Sequence, residues 1–240
     1  YTTEYTTASK RPVITINYGY ALPSSLTNGE VYSFENLGSG KFMTVHNGTD
    51  ANDVNVCQSS RIEGAPNQKF KLEYVPSTGG YFLRAMCSSN GTGRVLDLYK
   101  INGYVSNGSN LQIYNATDPL AQHWVIVGLG GNFFKLVPRT DMSLALTAYG
   151  NGNGTADGRS TTSDGNVFVS TYNNSNNYQI WIIRDSSNVA LPSGGVTSLA
   201  SGTYYLNNKT SGKYLHYTST DVNFESGLIA NLGNTIRWKI

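Results

Sequence analysis

Charge is scarce in this chain. Only 13% of its 240 residues are Asp, Glu, Lys or Arg, about half the ~25% usual in globular proteins. Seventeen bases and fifteen acids leave a formal net charge of +2, and no block of one sign occurs. A polyanion-binding surface needs clustered Lys and Arg, so nucleic acid is not an expected partner. Long apolar runs are also missing. Stretches such as Trp124–Val127 fall far short of the ~20 residues that span a bilayer, and no membrane insertion is expected. Cysteine is limited to Cys57 and Cys87, too few for a disulfide framework and not a C-x-x-C pair. Two half-buried thiols and one disulfide both fit. Helical periodicity is absent as well: Gly or Asn clusters interrupt every stretch that begins to place apolar residues at i, i+3, i+4, i+7.

Asparagine, glycine and tyrosine fill the space, at 26, 26 and 17 residues. Aromatics at 12% argue against disorder, which needs few aromatics and high net charge. Short alternating runs recur, among them Val31-Tyr32-Ser33-Phe34, Tyr81-Phe82-Leu83 and Phe133–Val137. Gly, Asn, Ser and Pro bound each run, the pattern of short strands joined by tight turns. The fold class is all-β. Seven Asn-x-Ser/Thr sequons, at Asn47, Asn90, Asn107, Asn115, Asn153, Asn173 and Asn208, read first as turn chemistry. They read as glycan acceptors only in a eukaryotic source.

An internal repeat carries more information than the strands. Gln68-Lys69-Phe70, Gln122-His123-Trp124 and Gln179-Ile180-Trp181 close successive units of about 57 residues, and Ile236-Arg237-Trp238 closes a fourth. The openings match too. Val31-Tyr32-Ser33-Phe34-Glu35-Asn36 runs to Ser39-Gly40-Lys41-Phe42-Met43, and Thr203-Tyr204-Tyr205-Leu206-Asn207-Asn208 runs to Ser211-Gly212-Lys213-Tyr214-Leu215.

With its aromatic opening, its Asn55-Val56 and Asn110-Leu111 strands and its Gln-x-Trp closures, the chain resembles the ricin-type β-trefoil lectin domains, particularly their bacterial relatives. The resemblance implies one β-trefoil of three ~57-residue repeats over residues 26–185 and one repeat of a second trefoil over 199–240. It implies that Gln68, Gln122 and Gln179 bond backbone inside the fold and that Phe70, Trp124, Trp181 and Trp238 fill a shared core. Large aromatics and fully partnered buried amides suit such repeated positions. Residues 186–198 read as a linker. Residues 1–20 hold an alternating strand, Arg11-Pro12-Val13-Ile14-Thr15-Ile16-Asn17-Tyr18. It resembles the end of a DNRLRE surface domain and fits an ordinary edge strand equally.

The resemblance also places a sugar site. A carboxylate on the second strand, an amide and an aromatic on the third, and an Asn before the closing Gln form it. Unit two supplies Asp97, Gln112 and Tyr114, but Ala121 stands where the last Asn belongs, with Asn115 as a candidate substitute. Unit one has Thr44 in the carboxylate place, unit three Ala145 and unit four His216. The competing reading makes Asp97 a turn cap and Tyr114 surface cover. Asp97→Ala is expected to abolish binding with little change in melting temperature.

No catalytic residues are identified. His46, His123 and His216 lack metal-ligand spacing, and His123 is expected to be an exposed alternate position of its closure. The Gly-rich run 150–158 lacks the lysine of a phosphate loop and reads as a long hairpin loop. No metal or cofactor is expected.

The function expected is a non-enzymatic, extracellular carbohydrate-binding module of a larger secreted or surface protein, with glycans as partners. A structural or assembly subunit with degenerate sugar sites is the alternative, and the targeting portion of an enzyme a third reading. A start at Tyr1 suggests a processed or excised piece. A lone strand and a single repeat cannot bury a core of their own, so both ends are expected to order against other copies of the chain or missing flanking domains.

Overall fold

The computed structural model describes residues 22–117 and 120–193, together with the backbone of four short strands further on. The chain divides into two compact units, residues 1–195 and 196–240. The alternating strand at 11–18 lies outside the described residues.

Twelve strands build the first unit in three sets of four. The first set is β1 (Val31–Asn36), β2 (Phe42–Val45), β3 (Val54–Ser59) and β4 (Phe70–Val75). The second is β5 (Gly80–Ala85), β6 (Val95–Leu98), β7 (Leu111–Tyr114) and β8 (Trp124–Gly130). The third is β9 (Phe133–Pro138), β10 (Leu144–Ala148), β11 (Val167–Thr171) and β12 (Trp181–Arg184). The outer strands of the sets pair antiparallel in a closed circuit, β1–β4–β5–β8–β9–β12 and back to β1. Closure removes the exposed edges of a six-stranded sheet. The inner strands form three hairpins, β2–β3, β6–β7 and β10–β11. This is a β-trefoil.

Alternation explains the barrel. In β1, Tyr32, Phe34 and Asn36 are buried while Val31, Ser33 and Glu35 are only partly covered, as a strand with one face on the core requires. Phe34 meets Phe70 edge-on at 5.9 Å. Phe70, Trp124 and Trp181 are buried in the same core. Each indole N–H donates to a second-strand carbonyl of its own set, Trp124 to Leu96 at 3.4 Å and Trp181 to Leu146 at 3.0 Å. Burying a side chain of this size stabilises by about 3 kcal/mol or more only when its polar atom is satisfied.

Three buried asparagines lock the hairpins together. Asn110 donates to Asn55 Oδ1 at 2.9 Å, Asn166 to Asn110 Oδ1 at 2.9 Å, and Asn55 to Asn166 Oδ1 at 3.3 Å. Each stands just before or at the start of its third strand, so the ring joins equivalent points of the three sets.

Residues 149–166, joining β10 to β11, leave their own hairpin and pack on β3. Gly154 N donates to the Gln58 carbonyl and Gln58 N to that of Gly165, both at 2.8 Å. A Cβ at Gly154 would sit 2.2 Å from the Cys57 Cβ, which fixes glycine there. Asn153 Oδ1 accepts from Ser60 N and Lys41 Nζ, so the loop covers the flank of the first set.

In the second unit β13 (Thr203–Tyr205) pairs β16 (Arg237–Lys239), and β14 (Tyr214–Tyr217) pairs β15 (Val222–Glu225). Outer strand meets outer and inner meets inner, as in each set of the trefoil. Trp238 lies on β16 opposite Tyr204; its side-chain surroundings lie outside the described residues.

Candidate functional site

Strand register fixes which residues correspond. Thr44 pairs with Cys57, Asp97 with Gln112 and Thr147 with Phe168. One pleat along, Phe42 pairs with Ser59, Val95 with Tyr114 and Ala145 with Ser170. The carboxylate place of the third set is therefore Thr147 and not Ala145. Sequence spacing misplaced it by two residues.

Each closing glutamine does the same work. Gln68 Oε1 accepts from Ile62 N at 2.8 Å and its amide donates to the Ser60 carbonyl at 2.9 Å. Gln122 accepts from Thr117 N at 3.0 Å and donates to the Asn115 carbonyl at 2.9 Å. Gln179 accepts from Asn173 N at 2.7 Å and donates to the Thr171 carbonyl at 3.0 Å. All three are buried and tie down the segment after the third strand.

The sets differ in what faces that glutamine. In the first, Thr44 and Ser59 hydroxyls lie 2.8 Å apart and both accept from Gln68 Nε2. In the third, Thr147 and Ser170 repeat the arrangement with Gln179 at 2.8 Å between hydroxyls. In both sets two short hydroxyls bond each other and the amide. The second set holds Asp97 and Tyr114 in the same two places, with Gln112 opposite Asp97.

Asp97 is only 9% exposed and accepts from Gln112 Nε2 at 2.8 Å. Burial pushes its carboxyl above the usual range, against the opposing pull of hydrogen bonds from Gln112 and Gln122 and the charge of Lys100. Gln112 Oε1 is buried with no protein partner. Tyr114 is half-buried and Asn115 exposed. The Asn115 backbone N–H donates to Asn52 Oδ1 at 3.0 Å, which anchors the end of β7. Ala121 is buried and adds no polar group.

The structure brings Asp97, Gln112 and Tyr114 together on one hairpin, with Asn115 at its end. It changes the expectation for Asp97→Ala from thermally silent to destabilising, because truncation would orphan the Gln112 amide in a buried position. It also corrects His123, which is buried and meets Phe82 edge-on at 4.8 Å. His123 immediately precedes β8, and its carbonyl accepts from Arg139 N at 2.8 Å, so the barrel holds it. Spacing alone missed the Thr–Ser pairing, since its meaning lies in the cross-strand register. Cys57 and Cys87 are free thiols. Among the described residues no three His, Cys, Asp or Glu side chains gather as a metal site would need, and no helix is long and apolar enough to cross a membrane.

Known proteins share this fold. The family described as ricin-type beta-trefoil lectin domain-like matches residues 20–114. The designed threefold-symmetric protein ThreeFoil is 30% identical, with a TM-score of 0.51 over 65% of this chain and 98% of its own. The Rhizoctonia solani agglutinin is 16% identical, with a TM-score of 0.51 over 67% of this chain and 97% of its own. A mosquitocidal holotoxin, 19% identical with a TM-score of 0.51, covers 89% of this chain, which spans 23% of the toxin's length. No curated protein matches the sequence.

Proposed function

Because the chain belongs to the ricin-type beta-trefoil lectin domain-like family, we propose that it binds carbohydrate through its second set of strands. The family and its lectin relatives support carbohydrate binding as the general property. The finer reading is a non-enzymatic, extracellular module of bacterial type within a larger secreted or surface protein. Residues 26–185 are one module, 186–198 a linker and 199–240 one repeat of a second module.

One observation carries the choice of site. Only the second of the three sets replaces the self-satisfied Thr–Ser pair with a carboxylate and an aromatic ring. Asp97 accepts from two vicinal sugar hydroxyls, Gln112 is the polar neighbour that holds its carboxylate, and Tyr114 packs on the C–H face of the ring. Asn115 borders the ligand. Stripping water from sugar hydroxyls keeps such affinity low per site, so avidity through further modules fits the repeat architecture.

A printed glycan array tests this with wild type and Asp97→Asn, which keeps the shape and an acceptor for Gln112 but not the charge. Wild-type signal that the variant loses is the expected result. Equal signals rule out the site.

A second reading draws on the same comparison of sets. Two of three lobes are chemically closed, as an assembly subunit with degenerate sites would be. A silent array together with large particles in size-exclusion chromatography would favour it.

A further inference from the structure

Nine large hydrophobic side chains are exposed among the described residues, and four of them, Tyr99, Ile101, Tyr104 and Leu120, belong to the second set. The first three stand on the β6–β7 connection, immediately beyond Asp97. Tyr104 is 77% exposed. Rings and branched chains left in water on one short ribbon mark a binding surface more than a folding need.

Backbone hydrogen bonds hold the connection at two points. Tyr99 N donates to the Asn110 carbonyl at 2.9 Å, which extends the β6–β7 ladder by one step. Further out, Ile101 N donates to the Tyr104 carbonyl at 2.8 Å and Tyr104 N returns the bond to Ile101 at 3.1 Å. Asn102 and Gly103 close the turn with φ of 52° and 86°, the double left-handed geometry that matches strand twist. Cross-strand partners share a face, so Ile101 and Tyr104 stand side by side. Tyr99 and Ile101 follow Asp97 by two and four residues, just past the end of β6 at Leu98. Lys100 lies close enough for its charge to favour the Asp97 carboxylate.

Resting on the site proposed above, we infer that Tyr99, Ile101 and Tyr104 form an extended subsite, and that the ligand is an oligosaccharide or polysaccharide chain and not a lone terminal sugar. The rings that follow the one held at Asp97 would pass over these exposed apolar side chains. Such preorganised contact adds affinity without further ordering cost.

The test measures affinity of the full 240-residue chain by calorimetry on cello-, chito-, galacto- and xylo-oligosaccharide ladders, from monosaccharide to tetrasaccharide. Wild type is expected to gain about tenfold in affinity with length on the ladder it recognises, the equivalent of one or two aromatic contacts. Tyr104→Ala should flatten that gain and leave the monosaccharide unchanged, and Tyr104→Phe should keep it. Tyr99→Ser supplies an independent variant, with folding checked by thermal melts. Length-independent wild-type affinity, or equal weakening at every length by Tyr104→Ala, overturns the subsite while leaving the Asp97 site standing. If Asp97→Asn binds every length like wild type, the Asp97 site itself is wrong. Absence of binding to every ladder defeats both.

Discussion

The side-chain amide of Asn110 donates to Oδ1 of Asn55 at 2.9 Å, across 55 positions of sequence. Asn166 completes the ring, and all three residues are buried. A buried amide without partners costs about 1–3 kcal/mol, so the ring holds only if every member is present. Asn110→Ala should therefore destabilise by about 2 kcal/mol and lower the melting temperature by roughly 5 °C. Denaturant unfolding monitored at the tryptophans reads it. A loss within the error of the extrapolation would show that the ring contributes nothing.

Asp97 separates folding from binding. Asp97→Ala strands the Gln112 amide and should cost about 1–3 kcal/mol, while Asp97→Asn should cost less because the acceptor remains. Both should lose glycan signal. Matching melting temperatures for Asp97→Ala and wild type would contradict the buried Asp97–Gln112 bond.

The same carboxyl sets a pH response. Its folded pKa is raised, mainly by burial, so the folded state holds its proton at pH values where the unfolded chain has released it. The stability contribution is fully present below the ordinary carboxylate pKa and is lost as pH rises through the folded value. Sugar binding needs the charged acceptor and runs the other way, weakening as pH falls through that raised value. A binding titration should show a midpoint above the usual carboxylate range that Asp97→Asn removes. A flat profile for wild type would refute the assignment.

Cys57 and Cys87 should resist thiol reagents in the folded protein. Burial pushes their pKa up to about 12 and about 11, and the thiolate is the reactive form. Ellman titration at neutral pH should proceed slowly on native protein and reach two thiols in denaturant. Rapid native labelling of Cys57 would mean that the 149–166 loop does not cover it.

Gln179→Leu should lower stability by about 1–3 kcal/mol, because Asn173 N and the Thr171 carbonyl lose their partner. Thr147 and Ser170 keep each other, which limits the loss. Calorimetric unfolding reads the change, and an unchanged melting temperature would show that the segment after β11 is held by other contacts.

The sequence by itself determined the repeat, and the resemblance it carries implied the trefoil. Gln68, Gln122 and Gln179 recur at a near-constant interval with Phe70, Trp124 and Trp181 two residues on, and a period needs no coordinates to be seen. The resemblance also placed Asp97, Gln112 and Tyr114 as a candidate site, from their positions along two strands. Only the tertiary structure decided what those residues face. Antiparallel register sets each partner, and it moved the third set's carboxylate place from Ala145 to Thr147. It closed two lobes with Thr–Ser pairs, assembled Asn55, Asn110 and Asn166 into a ring, and buried His123 against Phe82. Repeats are written along the chain, whereas burial and hydrogen-bond satisfaction are properties of neighbours that chain order does not name.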